Sequence, residues 1–208
     1  LLSVGKEAGE RYFDLVAAWL ARLHRMPQTI APQAAERCLH REERKIAQYV
    51  ETFVSAGSPY AAKISAIAAT VLLRLGALCR AQEGLFVRNH GDYHPKNIII
   101  GQDRVHDTQT AYASVIDFDN AFDCVPLFDV GYFIAQFRAQ FFGYPQLLKR
   151  YPPECFYAAY VRYNPSAGAD AQRALALFRL RADLSIGAFL VKVGKGIGAE
   201  MDGLIADV

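Results

Sequence analysis

Long apolar runs, grouped cysteines and an excess of charge of one sign are all missing from this 208-residue chain. The longest largely apolar stretch, Ile64 to Leu73, stops at Arg74. It falls short of the ~20 residues that a bilayer-spanning helix needs. No charged start followed by an apolar segment and a small-residue cleavage site marks a secretory leader. The four cysteines, Cys38, Cys79, Cys124 and Cys155, lie far apart with no C-x-x-C pair, which argues against a structural zinc site or a disulfide framework. They read as reduced core thiols of a cytoplasmic protein. Formal charge is +2 and the Lys and Arg residues are scattered, so neither nucleic acid nor a membrane is an expected partner. Repeats and low-complexity tracts are absent as well. So is an initiator Met: the chain opens Leu1-Leu2-Ser3-Val4-Gly5, which reads as the loss of upstream material.

What is present is an ordinary globular composition, 52% hydrophobic and 21% charged. Helical spacing of apolar residues predicts helices over Lys6 to His24, Gln33 to Val54 and Tyr60 to Arg80. Within the second, the run His40-Arg41-Glu42-Glu43-Arg44-Lys45 reads as a solvated face. The centre changes character. Leu85 to Arg88, Asn97 to Ile100 and Ala113 to Ile116 are short β-branched or apolar runs separated by Gly, Asp and Pro, and the polar stretch Gln102 to Tyr112 reads as a turn or longer excursion. Helical spacing returns over Phe128 to Phe141, Pro153 to Tyr163 and Ala171 to Val193. The expected fold class is therefore α+β and mainly helical, with a small strand-rich island.

The chemistry sits in that island. Asp92 follows Gly91, which permits a tight backbone turn, in a loop between two short strands. A carboxylate there can accept a hydrogen bond from a substrate hydroxyl and orient it. Taken alone it would be an ordinary turn residue. Asn97, five residues on, carries an amide oxygen able to reach a cation beside the acid, and Asp117 ends the apolar run Val115-Ile116. Magnesium takes one or two hard oxygen ligands from a protein alongside phosphates and waters, a demand Asn97 and Asp117 meet. Asp119, two residues further, is a candidate for a second metal ligand or a supporting acid if the strand continues, whereas Asp123 reads as the cap of a following helix. His90 and His94 flank Asp92. An extended segment would let all three share a zinc or di-metal hydrolase site with Asp117, but Gly91 and Pro95 favour a loop in which the histidines are scaffold.

These residues in this order resemble a known family. His90-Gly91-Asp92-Tyr93-His94-Pro95-Lys96-Asn97, then Val115-Ile116-Asp117-Phe118-Asp119, is similar to the H-G-D-x-H-x-x-N and D-[WF]-[DE] signatures of the aminoglycoside phosphotransferase and choline kinase superfamily. Pro126-Leu127-Phe128-Asp129 resembles its P-x-x-D helix start, and Leu20-Ala21-Arg22-Leu23-His24 its L-A-x-L-H helix end. The resemblance implies the protein-kinase-like fold, here the helical C-terminal lobe, with a β-hairpin island carrying the catalytic loop. It implies Asp92 as the base or hydroxyl-orienting acid and Asn97 and Asp117 as holders of Mg2+ that bridges the phosphates of ATP. Asp129 would tie its helix to the loop, and Lys96 would lie near phosphate. The family's strand-rich nucleotide-binding lobe has no counterpart in residues 1–208, so the expectation is a single C-lobe whose N-terminal partner lobe belongs to a longer protein. The implied reaction moves the γ-phosphate of ATP to a hydroxyl of a small molecule, whether aminoglycoside, choline, another amino alcohol or a sugar. The alternatives are a metal-dependent phosphohydrolase built on His90, Asp92, His94 and Asp117, and a non-catalytic kinase-like binding module.

Overall fold

The computed structural model describes residues 6–104, 110–168 and 171–206. In chain order, the helices α1 (Lys6–Arg25), α2 (Ala34–Ser55) and α3 (Ala61–Ala81) lead into strand β1 (Val87–Asn89), then β2 (Ile98–Gln102), β3 (Ala111–Val115) and β4 (Phe122–Cys124). Helices α4 (Leu127–Gln140), α5 (Pro145–Arg150), α6 (Glu154–Tyr163), α7 (Ala171–Lys192) and α8 (Ala199–Ala206) complete it, with short 3-10 turns at Glu83–Leu85, Pro95–Asn97 and Pro165–Gly168. The chain is mainly helical with small antiparallel sheets, as its composition and periodicity imply.

Apolar spacing explains how the helices assemble. Phe13, Val16, Ala17, Leu20 and Ala21 recur at helical spacing on α1 and are buried, and this face packs along α6. On α4 the first eleven residues are buried except Gln136, so this helix is the axis of the lobe, and its principal partner is α7. Close packing there depends on Gly131, whose added Cβ would lie 2.6 Å from Phe178 on α7. By length and mean hydropathy (1.6 over the richest window) α3 matches a membrane-crossing helix, yet it packs on α2 and α7 and buries Ile64, Ala68, Val71, Leu75 and Cys79. It also runs straight through Arg74, whose side chain is exposed and therefore does not end it.

The strand island differs from a single hairpin. β2 and β3 form one antiparallel pair, whereas β1 pairs with the more distant β4 in register Val87↔Cys124 and Asn89↔Phe122. The two pairs thus enclose both chemistry-bearing loops. Ile98, Ile100 and Val115 face inward onto the core, while Ile99, Tyr112 and Ile116 are about half exposed on the other side. Tyr112 covers Gly101, where a Cβ would lie 2.3 Å from its ring. The centre of the polar excursion, including His106, lies outside the described residues, as does the opening Leu1-Leu2-Ser3-Val4-Gly5.

Three sequence expectations need correction. The charged run on α2 is not wholly solvated: Glu42 is fully buried, and Arg181 of α7 binds it through Nε at 2.5 Å and a second nitrogen at 3.2 Å, while Arg41 also pairs with it. Arg41 in turn lies 3.7 Å over the Phe122 ring. Asp123 caps nothing; it sits in β4 and accepts from Arg88 Nε at 2.6 Å across the β1–β4 pair. Helices α5 and α8 lie outside the segments whose spacing predicts helices, and Pro145 begins α5 at a position where its missing N–H costs nothing. Lastly, the cysteines are not all core residues: Cys155 is exposed, and Cys38, Cys79 and Cys124 are buried together.

Candidate active site

The loop from His90 to Asn97 leaves β1 and is held from beneath by Asp129, in the first turn of α4. Its Oδ2 accepts from the backbone N–H of His90 at 2.7 Å and its Oδ1 from that of Gly91 at 2.9 Å. Gly91 has φ of 81°, and a Cβ there would lie 2.1 Å from the carbonyl oxygen of Asn120, so only glycine fits this turn. Asp129 is itself completely buried and meets His24 Nε2 at 3.2 Å. His24 Nδ1 lies 2.7 Å from the Tyr160 hydroxyl, and that oxygen accepts from Asn164 Nδ2 at 2.8 Å. The pattern sets the tautomer: Tyr160 donates to Nδ1, leaving Nε2–H to donate to Asp129. A relay from α6 through the end of α1 thereby fixes the acid that fixes the loop. Sequence reading left His24 only as part of a helix-end signature; its burial and its link to Asp129 require the fold.

The histidines of the loop are occupied. His90 is buried; its Nδ1 accepts from the Asp92 N–H at 3.3 Å and its Nε2 donates to the carbonyl of Ile116 at 2.9 Å. His94 Nδ1 accepts from the Lys96 N–H at 3.2 Å, capping the 3-10 turn at Pro95–Asn97. Its Nε2–H points at Asp92 Oδ1, 3.6 Å away. With both ring nitrogens of His90 engaged by backbone, a shared His90–Asp92–His94 metal site is ruled out by geometry. Among the described residues no group of three potential metal ligands forms at this loop.

Asp92 is partly exposed. Burial opposes its ionisation, yet hydrogen bonds from His94 and Tyr132 hold its carboxyl below the ordinary range. Tyr132 was not among the sequence candidates. It lies one helical turn beyond Asp129 on α4, receives Gln136 Nε2 at 3.1 Å, and directs its own O–H at Asp92. Burial, then the Asp92 charge, pushes the Tyr132 phenol well up, so it stays a donor. The one available signal was its spacing from Asp129, which also fits a plain core aromatic.

Asn97 and Asp117 come together through the backbone of Ile116. The Ile116 N–H donates to the Asn97 carbonyl at 3.0 Å, and its own carbonyl receives His90. The Asn97 side chain donates Nδ2 to the Asp92 carbonyl at 3.0 Å, so its Oδ1 faces the other way. Asp117 follows the end of β3 rather than ending it, in the left-handed region at φ 65°, a strained position for a residue other than glycine. It is exposed and makes no hydrogen bond or ion pair among the described residues. These bonds tie the Asn97 backbone to the segment that carries the exposed Asp117, and hold the Asn97 side chain against Asp92. Asp119 does not share a strand face with Asp117, because the chain turns at Phe118–Ala121; it stays exposed. Phe118 lies over His90 at 4.5 Å between centroids, and Tyr93, fully buried, donates to the Val16 carbonyl at 2.8 Å to pin the loop to α1. Lys96 is exposed beside the loop.

One turn further along α4 from Tyr132, a cavity of about 430 Å³ opens between α4, α7 and α8. Apolar Ala135, Ile186 and Leu204 line it together with Arg138, Arg179 and Asp183.

A kinase-like helical lobe with this loop defines a phosphotransferase type of site. The model of the phosphotransferase enzyme family, APH, matches residues 4–178, and the chain belongs to that family. No curated protein matches the chain. Among solved structures it is similar to an ethanolamine kinase of Plasmodium vivax, with a TM-score of 0.60 and 15% identity. That likeness covers 98% of this chain and 61% of the ethanolamine kinase chain, and at such identity it speaks for the fold alone.

Proposed function

We propose that this chain is the acceptor- and metal-holding lobe of a small-molecule kinase that moves the γ-phosphate of ATP to a hydroxyl group. The observation that supports this reading is the clasp at Ile116, whose N–H bonds the Asn97 carbonyl and whose carbonyl receives His90 one residue before the exposed Asp117, while Asn97 Nδ2 holds the Asp92 carbonyl. Asp92 accepts the hydrogen bond of the attacking hydroxyl and aligns it, and His94 and Tyr132 keep it ionised and oriented. The donor set of Asn97 and Asp117, one amide oxygen and one carboxylate, suits Mg2+ and is poor for softer ions. When bound, the ion supplies charge neutralisation on the nucleotide phosphates. The half-exposed face of Ile99, Tyr112 and Ile116, contiguous with Asp117, suits an adenine ring and the nucleotide-covering lobe of a longer protein. The free cysteines fit a reducing cytoplasmic setting.

The test is a phosphate-transfer assay on the full gene product with Mg2+, labelled ATP and a panel of amino alcohols, aminoglycosides and sugars. At least one acceptor is expected to be labelled, and Asp92→Asn is expected to lower kcat by about 10²–10⁴ without shifting the unfolding midpoint. Labelling of no acceptor, or full activity in Asp92→Asn, would overturn the reading.

A further inference from the structure

Behind the catalytic island three sulfurs meet that play no part in phosphate transfer. Cys38 comes from α2, Cys79 from the last turn of α3 and Cys124 from the end of β4, so three separate elements converge. Cys38 Sγ lies 3.8 Å from Cys79 Sγ and 3.5 Å from Cys124 Sγ, and all three sulfurs lie within 4.8 Å of one another. None is more than 2% exposed. Three sulfurs each about 2.3 Å from one ion in a trigonal plane lie about 4.0 Å apart, so the sulfurs already stand within a few tenths of an ångström of the spacing of a three-thiolate site.

We propose that Cys38, Cys79 and Cys124 form a buried three-thiolate site for a soft, low-coordinate metal ion, cuprous copper. Three sulfurs select for softness. The missing fourth ligand selects against zinc, whose closed structural sites take four. Among the described residues no His, Asp or Glu joins the group within ligand distance. Glu42, one helical turn past Cys38, has both carboxylate oxygens engaged by Arg181. Binding replaces the thiol protons: each sulfur that ligates releases one proton to solvent, and no electron moves because copper enters as Cu(I). Because every sulfur is inaccessible, loading is coupled to folding. The bound ion staples α2 and α3 to β4, which through its pairing with β1 frames the loop of Asp92.

The test is anaerobic refolding of the reduced full chain with Cu(I) supplied as its bicinchoninate complex, followed by metal analysis and X-ray absorption. Wild type and Cys155→Ser, which alters the exposed thiol, are expected to strip one copper per chain from the chelator, show a three-sulfur shell and unfold at a higher temperature than the apo form. Cys38→Ser and Cys79→Ser are expected to lose the ion to the chelator. Copper left with the chelator by wild type overturns the site, as does a shell without three sulfurs or a loss caused by Cys155→Ser. If the Cys38 and Cys79 variants do not fold, the sulfur count in wild type and Cys155→Ser decides. Retention of zinc against Cu(I), with a fourth ligand, overturns the three-coordinate assignment.

Discussion

Asp92 owes its ionisation to neighbours that sit on different elements, His94 on its own loop and Tyr132 on α4. Because its carboxyl is held below the ordinary range, the ionised form persists in the fold at pH values where the unfolded chain has begun to protonate. Stability and orientation from this charge are therefore complete above the unfolded value and lost as pH falls through the lower folded one. Removing the phenol oxygen takes away one of the stabilising donors. Tyr132→Phe is expected to move the acid limb of kcat/KM to higher pH while leaving the basic limb in place, as a pH–rate profile of the gene product would show. A profile identical to wild type would mean that Tyr132 is packing alone.

Among the elements, two buried polar contacts tie the lobe together, and they serve different ends. Asp129 joins α4 to the loop through two backbone N–H groups and to α1 through His24. Asp129→Ala leaves those donors unpaired in the interior and is expected to cost about 3–5 kcal/mol in urea unfolding. The Glu42–Arg181 pair joins α2 to α7 where both side chains are buried. Arg181→Met strands the Glu42 charge and is also expected to cost about 3–5 kcal/mol, whereas Arg181→Met with Glu42→Leu should regain most of it, since a well-packed apolar pair replaces such bridges at little net cost. A double variant no more stable than Arg181→Met would show that the pair itself, not the orphaned charge, carries the stability.

For the whole molecule, the notable surface is the outer side of the β2–β3 pair, where Ile99, Tyr112 and Ile116 are each about half exposed next to Asp117. Neighbouring apolar side chains in water commonly mark a contact site. If the nucleotide and its covering lobe sit here, Ile116→Ser should raise KM for ATP several-fold, leave KM for the acceptor unchanged and shift the unfolding midpoint little. An equal rise in both KM values would place the effect in the loop rather than at this face.

Much of this protein was legible before folding, for reasons that are local. The order of Asp92, Asn97 and Asp117, the glycine turn at Gly91 and the helical periodicities lie in short windows where backbone sterics and burial act directly on neighbouring residues. That is why the family and the helical lobe could be read from the chain, and why β4 and α8, short and weakly patterned, could not. Other features existed only once distant segments met. Tyr132 and His24 look like core residues until α4 and α1 close on the loop. Glu42 looks solvated until Arg181 arrives from 139 positions away. Cys38, Cys79 and Cys124 look unrelated by spacing, since a side-chain cluster depends on three-dimensional proximity and sequence separation carries no record of it. The sequence by itself determined which chemistry the loop carries; the tertiary structure decided which groups hold that loop in place and where the buried sulfurs converge, because burial and long-range contact are properties of the packed chain.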